Sequence, residues 1–278
     1  MTDKALLDVK HGLATLGPGA IRIRELLEAR FLGWAADCNA TKMLFPPLMS
    51  VEDLSKLDYF RNFPHLALVV SRIREENLQD DYSAAGDIES ISNSHMATGE
   101  YVLPSAACYN AYIFLRGTTL EEPTYITTVA SCFRNEVEYK GLQRLWGFSM
   151  REIICVGPIE AVQSHLGEFK QRILQFANQI ELPLNTQVAT DPFYQTQSAR
   201  TLMQQLFPVK EEFVYGESVA IASVNFHRNF FGERCSITMA NGQAAFSGCV
   251  AFGIERWIHA LLEHFGGDVD LITKTLAR

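Results

Sequence analysis

The sequence predicts an α+β fold: a largely antiparallel sheet flanked by helices. Two observations carry that prediction. Eight segments rich in Tyr, Ile, Thr, Val and Phe read as strands, and several follow one another with no helix between them, which does not fit the strict alternation of a doubly wound sheet. The clearest helices, by contrast, are few and long. With 278 residues, 47% of them hydrophobic, the chain can bury a sizeable core, and it contains no internal repeat, low-complexity tract or Gly/Ser linker. One domain spanning residues 1–278 is expected.

The opening stretch holds Gly12, Gly17 and Gly19, whose spacing does not match a dinucleotide-binding fingerprint. From Ala20 to about Ala36, Ile23, Leu26, Leu27, Phe31 and Trp34 recur at helical spacing with Arg22, Arg24 and Arg30 among them, which predicts an amphipathic surface helix. Pro46-Pro47 end what precedes them. Val51 to Leu57 then reads as a short helix, Asp58 to Pro64 as a loop and Leu66 to Val70 as a buried strand. Residues 100–104, 109–116, 124–133 and 147–156 are four further strands. From Val162 the apolar positions Leu166, Phe169, Ile173, Phe176 and Ile180 alternate spacings of three and four, the signature of a helix with one face on the sheet. Strands return at about 211–226, 233–240 and 244–250, and a last helix runs from about Val250 to Phe265, stopping at Gly266-Gly267.

Composition narrows the function. Twenty-four basic residues are spread among 32 acidic ones, a formal charge of −8, so a large polyanion such as tRNA is not the expected partner. No apolar run approaches the roughly 18 residues of a membrane helix, and Met1-Thr2-Asp3-Lys4 does not open a signal peptide, so a cytoplasmic location without membrane association is expected. The six cysteines (Cys38, Cys108, Cys132, Cys155, Cys235, Cys249) are scattered and form no CxxC pair, which argues against a disulfide framework.

Chemistry concentrates in residues 130–156. One strand ends in Cys132-Phe133-Arg134-Asn135-Glu136, a polar loop with Lys140, Gly141 and Arg144 follows, and the next strand carries Phe148, Arg151 and Glu152. On spacing alone this is equally a surface hairpin whose Arg134 and Glu136 share a face and form a weak ion pair. A second segment, Gly248-Cys249-Val250-Ala251-Phe252-Gly253-Ile254-Glu255-Arg256-Trp257, sets an arginine at the start of a helix after a strand.

Together these segments resemble motifs 2 and 3 of the class II aminoacyl-tRNA synthetases, in the right order and about a hundred residues apart. Leu57-Asp58-Tyr59-Phe60-Arg61-Asn62-Phe63-Pro64 lies where the dimer-forming motif 1 would fall. The resemblance covers most of residues 50–265 and is nearest the seryl branch, but no heptad-patterned tRNA-binding arm precedes it. A seryl-type catalytic domain of this kind resembles the amino acid:[carrier protein] ligases, which activate a small amino acid and load it onto a carrier's phosphopantetheine thiol.

That resemblance implies roles. Arg134 would grip the α-phosphate of ATP and the amino acid carboxylate; Arg256 would contact the γ-phosphate and cover the adenine. Glu136 would accept a hydrogen bond from the adenine amino group, Phe148 would stack beneath the ring, and Glu217, with Asn225 nearby, would hold Mg²⁺. Cys108, Glu152 and Cys249 match the family's Zn²⁺ ligands, and two thiolates with one carboxylate are a plausible zinc shell that keeps a fourth position for substrate. Without the resemblance, Cys108 and Cys249 read as ordinary buried cysteines and Glu152 as a partner of Arg151 or Arg134. Cys132 is a rival ligand, and His227 is the candidate fourth ligand of a purely structural zinc. The expected substrate is glycine or alanine, the expected acceptor a phosphopantetheinylated carrier protein and not tRNA, and the expected assembly a homodimer through Val51 to Val70. Arg22, Arg24 and Arg30 could dock an acidic carrier. A non-catalytic class II paralogue and a minimal tRNA ligase are the alternatives.

Overall fold

The computed structural model describes residues 7–78, 82, 86–194 and 209–277; Met1 to Lys4, read above for a leader, lie outside them. The chain opens with a hairpin of β1 (Leu7–Lys10) and β2 (Leu13–Leu16), then α1 (Pro18–Asp37), β3 (Thr41–Lys42), β4 (Met49–Ser50), α2 (Val51–Lys56), α3 (Tyr59–Asn62), β5 (Leu68–Val70), β6 (Tyr101–Leu103), α4 (Tyr109–Phe114) and β7 (Thr119–Leu120). The long strands β8 (Thr124–Phe133) and β9 (Gly147–Gly157) follow, then α5 (Ile159–Gln179), β10 (Leu184–Ala189), β11 (Lys210–Tyr215), β12 (Val219–Arg228), α6 (Phe230–Cys235), β13 (Thr238–Met239), β14 (Phe246–Gly253), α7 (Ile254–His264) and α8 (Val269–Leu276).

Seven strands form the central sheet in the order β10-β11-β12-β14-β9-β8-β3. Every pairing is antiparallel except that of β3 with β8 at one edge. This is the α+β class expected from the run of strands. Because strand side chains alternate between faces, β9 and β14 each contribute to two separate cores. Ile153, Cys155, Val250 and Phe252 face the helices α1, α5 and α7, where Phe31 stacks on Phe252 with ring centroids 4.0 Å apart. Ile154, Val156 and Cys249 face the other way, onto a core shared with Leu54, Tyr59, Tyr112 and Phe231. Gly248 allows α5 to approach: a Cβ there would lie 2.9 Å from Val162 and 3.0 Å from Leu166.

Six expectations need correction. Residues 109–116 form the helix α4, not a strand: Tyr112 turns inward and stacks on Phe231 at 3.9 Å, while Phe114 stays exposed, and in so short a segment composition does not separate the two states. Residues 233–235 are the end of α6, which is closed by Ser236 at φ 52°, and within 233–240 only Thr238–Met239 are extended. The loop at 58–64 contains α3, and Pro64–Leu66 make a 3-10 turn, so the following strand is only Leu68–Val70. That strand belongs to a small three-stranded sheet with Val69 57% exposed, and it is not buried. The stretch 211–226 is a hairpin broken at Gly216 (φ 62°), and the last helix starts at Ile254 because β14 runs on to Gly253. No described helix is long and apolar enough to cross a membrane.

Candidate active site

The face of the sheet away from α1, α5 and α7 is the floor of a cleft. On β9, Met150 and Glu152 point to this side; on β14, Cys249 and Ala251 do; on β12, Ser223, Asn225 and His227 do. Register brings them together, since Ala251 pairs with Glu152 and with Ser223, and Cys249 pairs with Asn225. The loop before α4 crosses above and lowers Cys108 onto the same spot.

One ligand atom from each of Cys108, Glu152 and Cys249 lies within 4.8 Å of the others, and all three residues are buried. Cys249 Sγ is 3.6 Å from Glu152 Oε1, and the second carboxylate oxygen, Oε2, is buried with no hydrogen-bond partner. Burial raises the Glu152 carboxyl to about 7, and the contact with Cys249 together with burial raises the Cys108 thiol well above its ordinary value. Two soft donors and an orphaned buried carboxylate oxygen fit a bound cation such as Zn²⁺, whose charge would offset the desolvation of the anionic ligands. His227 supports the group from outside it. Its Nε2 is 3.7 Å from Cys249 Sγ and its Nδ1 3.1 Å from Tyr112 Oη, while burial lowers the imidazole to about 4 and keeps it neutral.

Above the triad lies a cavity of about 410 Å³, whose walls include Tyr59, Phe63, Tyr109, Asp191 and Phe230. A second, smaller cavity of about 80 Å³ adjoins it and is lined by Glu136, Phe148, Glu212 and Arg256. Arg134 borders both. Its Nε and Nη2 donate to the Ser105 carbonyl at 3.3 and 3.2 Å, and its guanidinium carbon is 5.1 Å from the centre of the Phe148 ring. Arg256 is anchored by Nε to the Gln143 carbonyl at 2.8 Å and by Nη1 to the Ala220 carbonyl at 3.0 Å. Burial, and then the neighbouring Arg134 charge, lower its pKa.

The sequence matches the tRNA synthetase class II core domain (G, H, P, S and T) over residues 95–265. It is 32% identical over 249 residues to amino acid–[acyl-carrier-protein] ligase 1 of Bradyrhizobium diazoefficiens, covering 84% of this chain and 74% of that protein. Ligase 2 of the same organism is 30% identical over 84% of this chain and 72% of its own length. The chain belongs to the amino acid–[acyl-carrier-protein] ligase family. Its fold is also that of the M. kandleri SerRS in a crystal structure with A. aeolicus tRNASec (TM-score 0.79, 21% identity), where it covers 92% of this chain and 54% of that one.

Within this ligase, Arg134, Glu136, Phe148 and Arg256 share one cavity, and Cys108, Glu152 and Cys249 form one cluster. Glu217 does not join either: it sits exposed in the turn of the β11–β12 hairpin, and the carboxylate that lines the smaller cavity from that hairpin is Glu212. Asn225 lines only the larger cavity, its amide 3.5 Å from Cys249 Sγ. Cys132 is buried among Ala107, Met150 and Ala251, outside the ligand cluster. Glu152 pairs with neither neighbouring arginine, because Arg151 points to the helical face and donates to Glu28. The stretch read as motif 1 forms a wall of the cleft, with Tyr59, Asn62, Phe63 and Leu66 lining it and Asn135 tied to the Leu66 and His65 carbonyls. Arg22 and Arg30 meet Asp270 and the Leu276 carbonyl on the opposite side of the sheet from the cleft.

Proposed function

We propose that this ligase uses ATP to activate glycine or alanine as the aminoacyl-adenylate and passes the aminoacyl group to the phosphopantetheine thiol of a carrier protein. The observation that carries this reading is the convergence of Cys108, Glu152 and Cys249 on the floor of a cavity that Arg134 also lines. An amino acid spans that interval with its amine over the triad and its carboxylate at Arg134. Zinc held by Cys108, Glu152 and Cys249 would supply a Lewis-acid position for the neutral α-amino group.

Arg134 binds the carboxylate and the α-phosphate, and Arg256, pre-oriented by two backbone carbonyls, meets the γ-phosphate. Glu136 accepts from the adenine amino group and Phe148 stacks on the ring. The Mg²⁺ role implied for Glu217 falls instead to Glu212, which lines the cavity. The amine and carboxylate fix both ends of the substrate, so its side chain is limited to the space beside Tyr109 and Ala106. The remainder of the cavity, toward Phe193 and Phe230, leaves a path for a flexible thiol arm. The acceptor is a carrier and not tRNA, since a chain at −8 offers little phosphate neutralisation. We further propose that residues 1–278 act as one cytoplasmic domain and pair as a homodimer through the outer side of Val51 to Val70, where Val69 is exposed.

The deciding experiment is amino-acid-dependent ATP–pyrophosphate exchange across all twenty amino acids, followed by transfer of the labelled amino acid to a holo-carrier and to tRNA. Exchange with glycine or alanine and labelling of the carrier are expected. Exchange with none, or labelling of tRNA alone, would overturn the reading. Sedimentation at micromolar protein tests the dimer, and a monomer would remove it.

A further inference from the structure

Five residues line both cavities: Arg134, Met150, Lys210, Ser223 and Ala251. Only two of them carry charge. Arg134 enters from the end of β8 on one side, and Lys210, the first residue of β11, enters from the other. Lys210 is held in place by acidic neighbours: its Nζ is 2.9 Å from Glu212 Oε1 and 3.6 Å from Asp191 Oδ1, and its side chain is only 17% exposed. A lysine serving only a surface ion pair has no reason to stand in the wall shared by two cavities. Its partners differ too, for Glu212 lines the smaller cavity and Asp191 the larger, so the ammonium is balanced between the two.

We infer that Lys210 is a second catalytic cation of the adenylation step, contacting the α-phosphoryl group from the side opposite Arg134. The inference rests on the proposed reading, in which the amino acid occupies the larger cavity and ATP the smaller. The reaction then takes place where the cavities meet. A carboxylate oxygen of the amino acid attacks the α-phosphorus, forming a new P–O bond, and the bond from that phosphorus to the bridging oxygen breaks, so pyrophosphate leaves with the electron pair. Attacking carboxylate and phosphate are both anionic, and the equatorial oxygens carry charge throughout. Cations on two sides hold the reactants in line and offset that repulsion better than Arg134 can from one. A compact ammonium with three donors can move from Glu212 to a phosphoryl oxygen by small rotations of its stem, and a guanidinium in its place keeps the charge with a less adaptable geometry.

The test compares wild type with Lys210→Met, Lys210→Ala and Lys210→Arg in glycine- and alanine-dependent pyrophosphate exchange, with ATP binding and melting temperature measured on each. Lys210→Met is expected to lower kcat by about 10²-fold or more with amino acid KM changed less than about threefold, Lys210→Arg to recover at least part of the loss, and added ethylammonium to raise the rate of Lys210→Ala. An ion pair with a purely structural role would lower the melting temperature without alkylammonium rescue. A kcat within threefold of wild type in folded Lys210→Met, or loss of rate without any recovery by arginine or ethylammonium, overturns the assignment. If wild type itself exchanges with no amino acid, the proposed function falls first and this inference with it; active wild type with an indifferent Lys210→Met overturns this inference alone.

Discussion

Arg151 and Glu152 are adjacent on β9 and point to opposite faces of the sheet. Arg151 donates through Nε and Nη2 to Glu28 of α1 at 2.9 and 2.6 Å, and through Nη1 to Thr127 Oγ1 at 3.1 Å. Glu152 leaves an unpartnered oxygen beside two thiols on the other face. The pleat thus gives one charge to structure and the next to the cleft.

The structural charge has a measurable consequence. Arg151→Met leaves Glu28 as a half-buried carboxylate without its partner and is expected to destabilise the fold by about 3 kcal/mol, whereas Arg151→Met with Glu28→Leu should recover much of that loss. Denaturant unfolding of the two variants checks this. A double variant no more stable than the single one would show that the pair is not the source of the loss.

Cys249→Ala is expected to lose one equivalent of zinc per chain and amino-acid activation, while keeping its fold and ATP affinity, since the residues facing the smaller cavity are untouched. Metal analysis of protein prepared without chelators, together with ATP binding by calorimetry, reads both halves. Unchanged amino acid affinity in Cys249→Ala would reduce the triad to three buried side chains.

Arg134→Ala or Arg256→Ala should each lower pyrophosphate exchange by about 10²-fold or more, the scale of losing one transition-state charge contact. Arg134→Ala should also weaken amino acid binding, whereas Arg256→Ala should act on ATP alone, since Arg256 lines only the smaller cavity. Steady-state kinetics with each substrate varied in turn separates these. Full activity in Arg134→Ala is incompatible with the site as described.

Stability should fall on acidification through His165. Burial on α5 lowers its imidazole to about 4, and its Nε2 lies 3.3 Å from the Ile153 carbonyl, which accepts from the neutral ring. The unfolded chain titrates near 6.5 and so binds more protons between those values. The contribution is therefore complete above about pH 6.5, declines as pH falls toward 4, and amounts to at most about 3 kcal/mol. His165→Gln, which retains a donor, should flatten the wild-type difference in unfolding free energy between pH 7 and 4.5. Parallel pH profiles for the two proteins would contradict this.

Much of the fold could be read from the sequence wherever periodicity ran long. The three-and-four spacing from Val162 to Ile180 and the two long strands of the motif 2 hairpin survive in α5, β8 and β9 because a ten-residue pattern averages over local exceptions. Short segments failed: 109–116 has a strand's composition, yet Tyr112 gains more from stacking on Phe231 inside a single helical turn. The site was legible in its residue types and not in its assembly. Glu152 and Cys249 meet through strand register and Cys108 reaches them from the loop before α4, neither of which a local pattern encodes. Lys210 and Glu212 were missed because charges at the start of a strand look like a solvated edge. The alternation of Ser223, Asn225 and His227 against Ala222, Val224 and Phe226 was a readable sign of a polar floor beneath a cleft. The resemblance points to Glu217 for the Mg²⁺ role, but that residue stands exposed in the turn beside Gly216.

The central sheet separates two packed cores, and the Cys108, Glu152 and Cys249 cluster lies on one side of it. Sequence change on the other side is therefore free to drift by volume-conserving exchange with little catalytic penalty: Phe31, Ile173 or Leu261 answers to packing alone. A saturation scan read out once for abundance and once for activity should sort the residues of β9 and β14 into two interleaved classes, changing class at every step along the strand. The same partition gives a protein engineer a place to add thermal tolerance without retuning the enzyme.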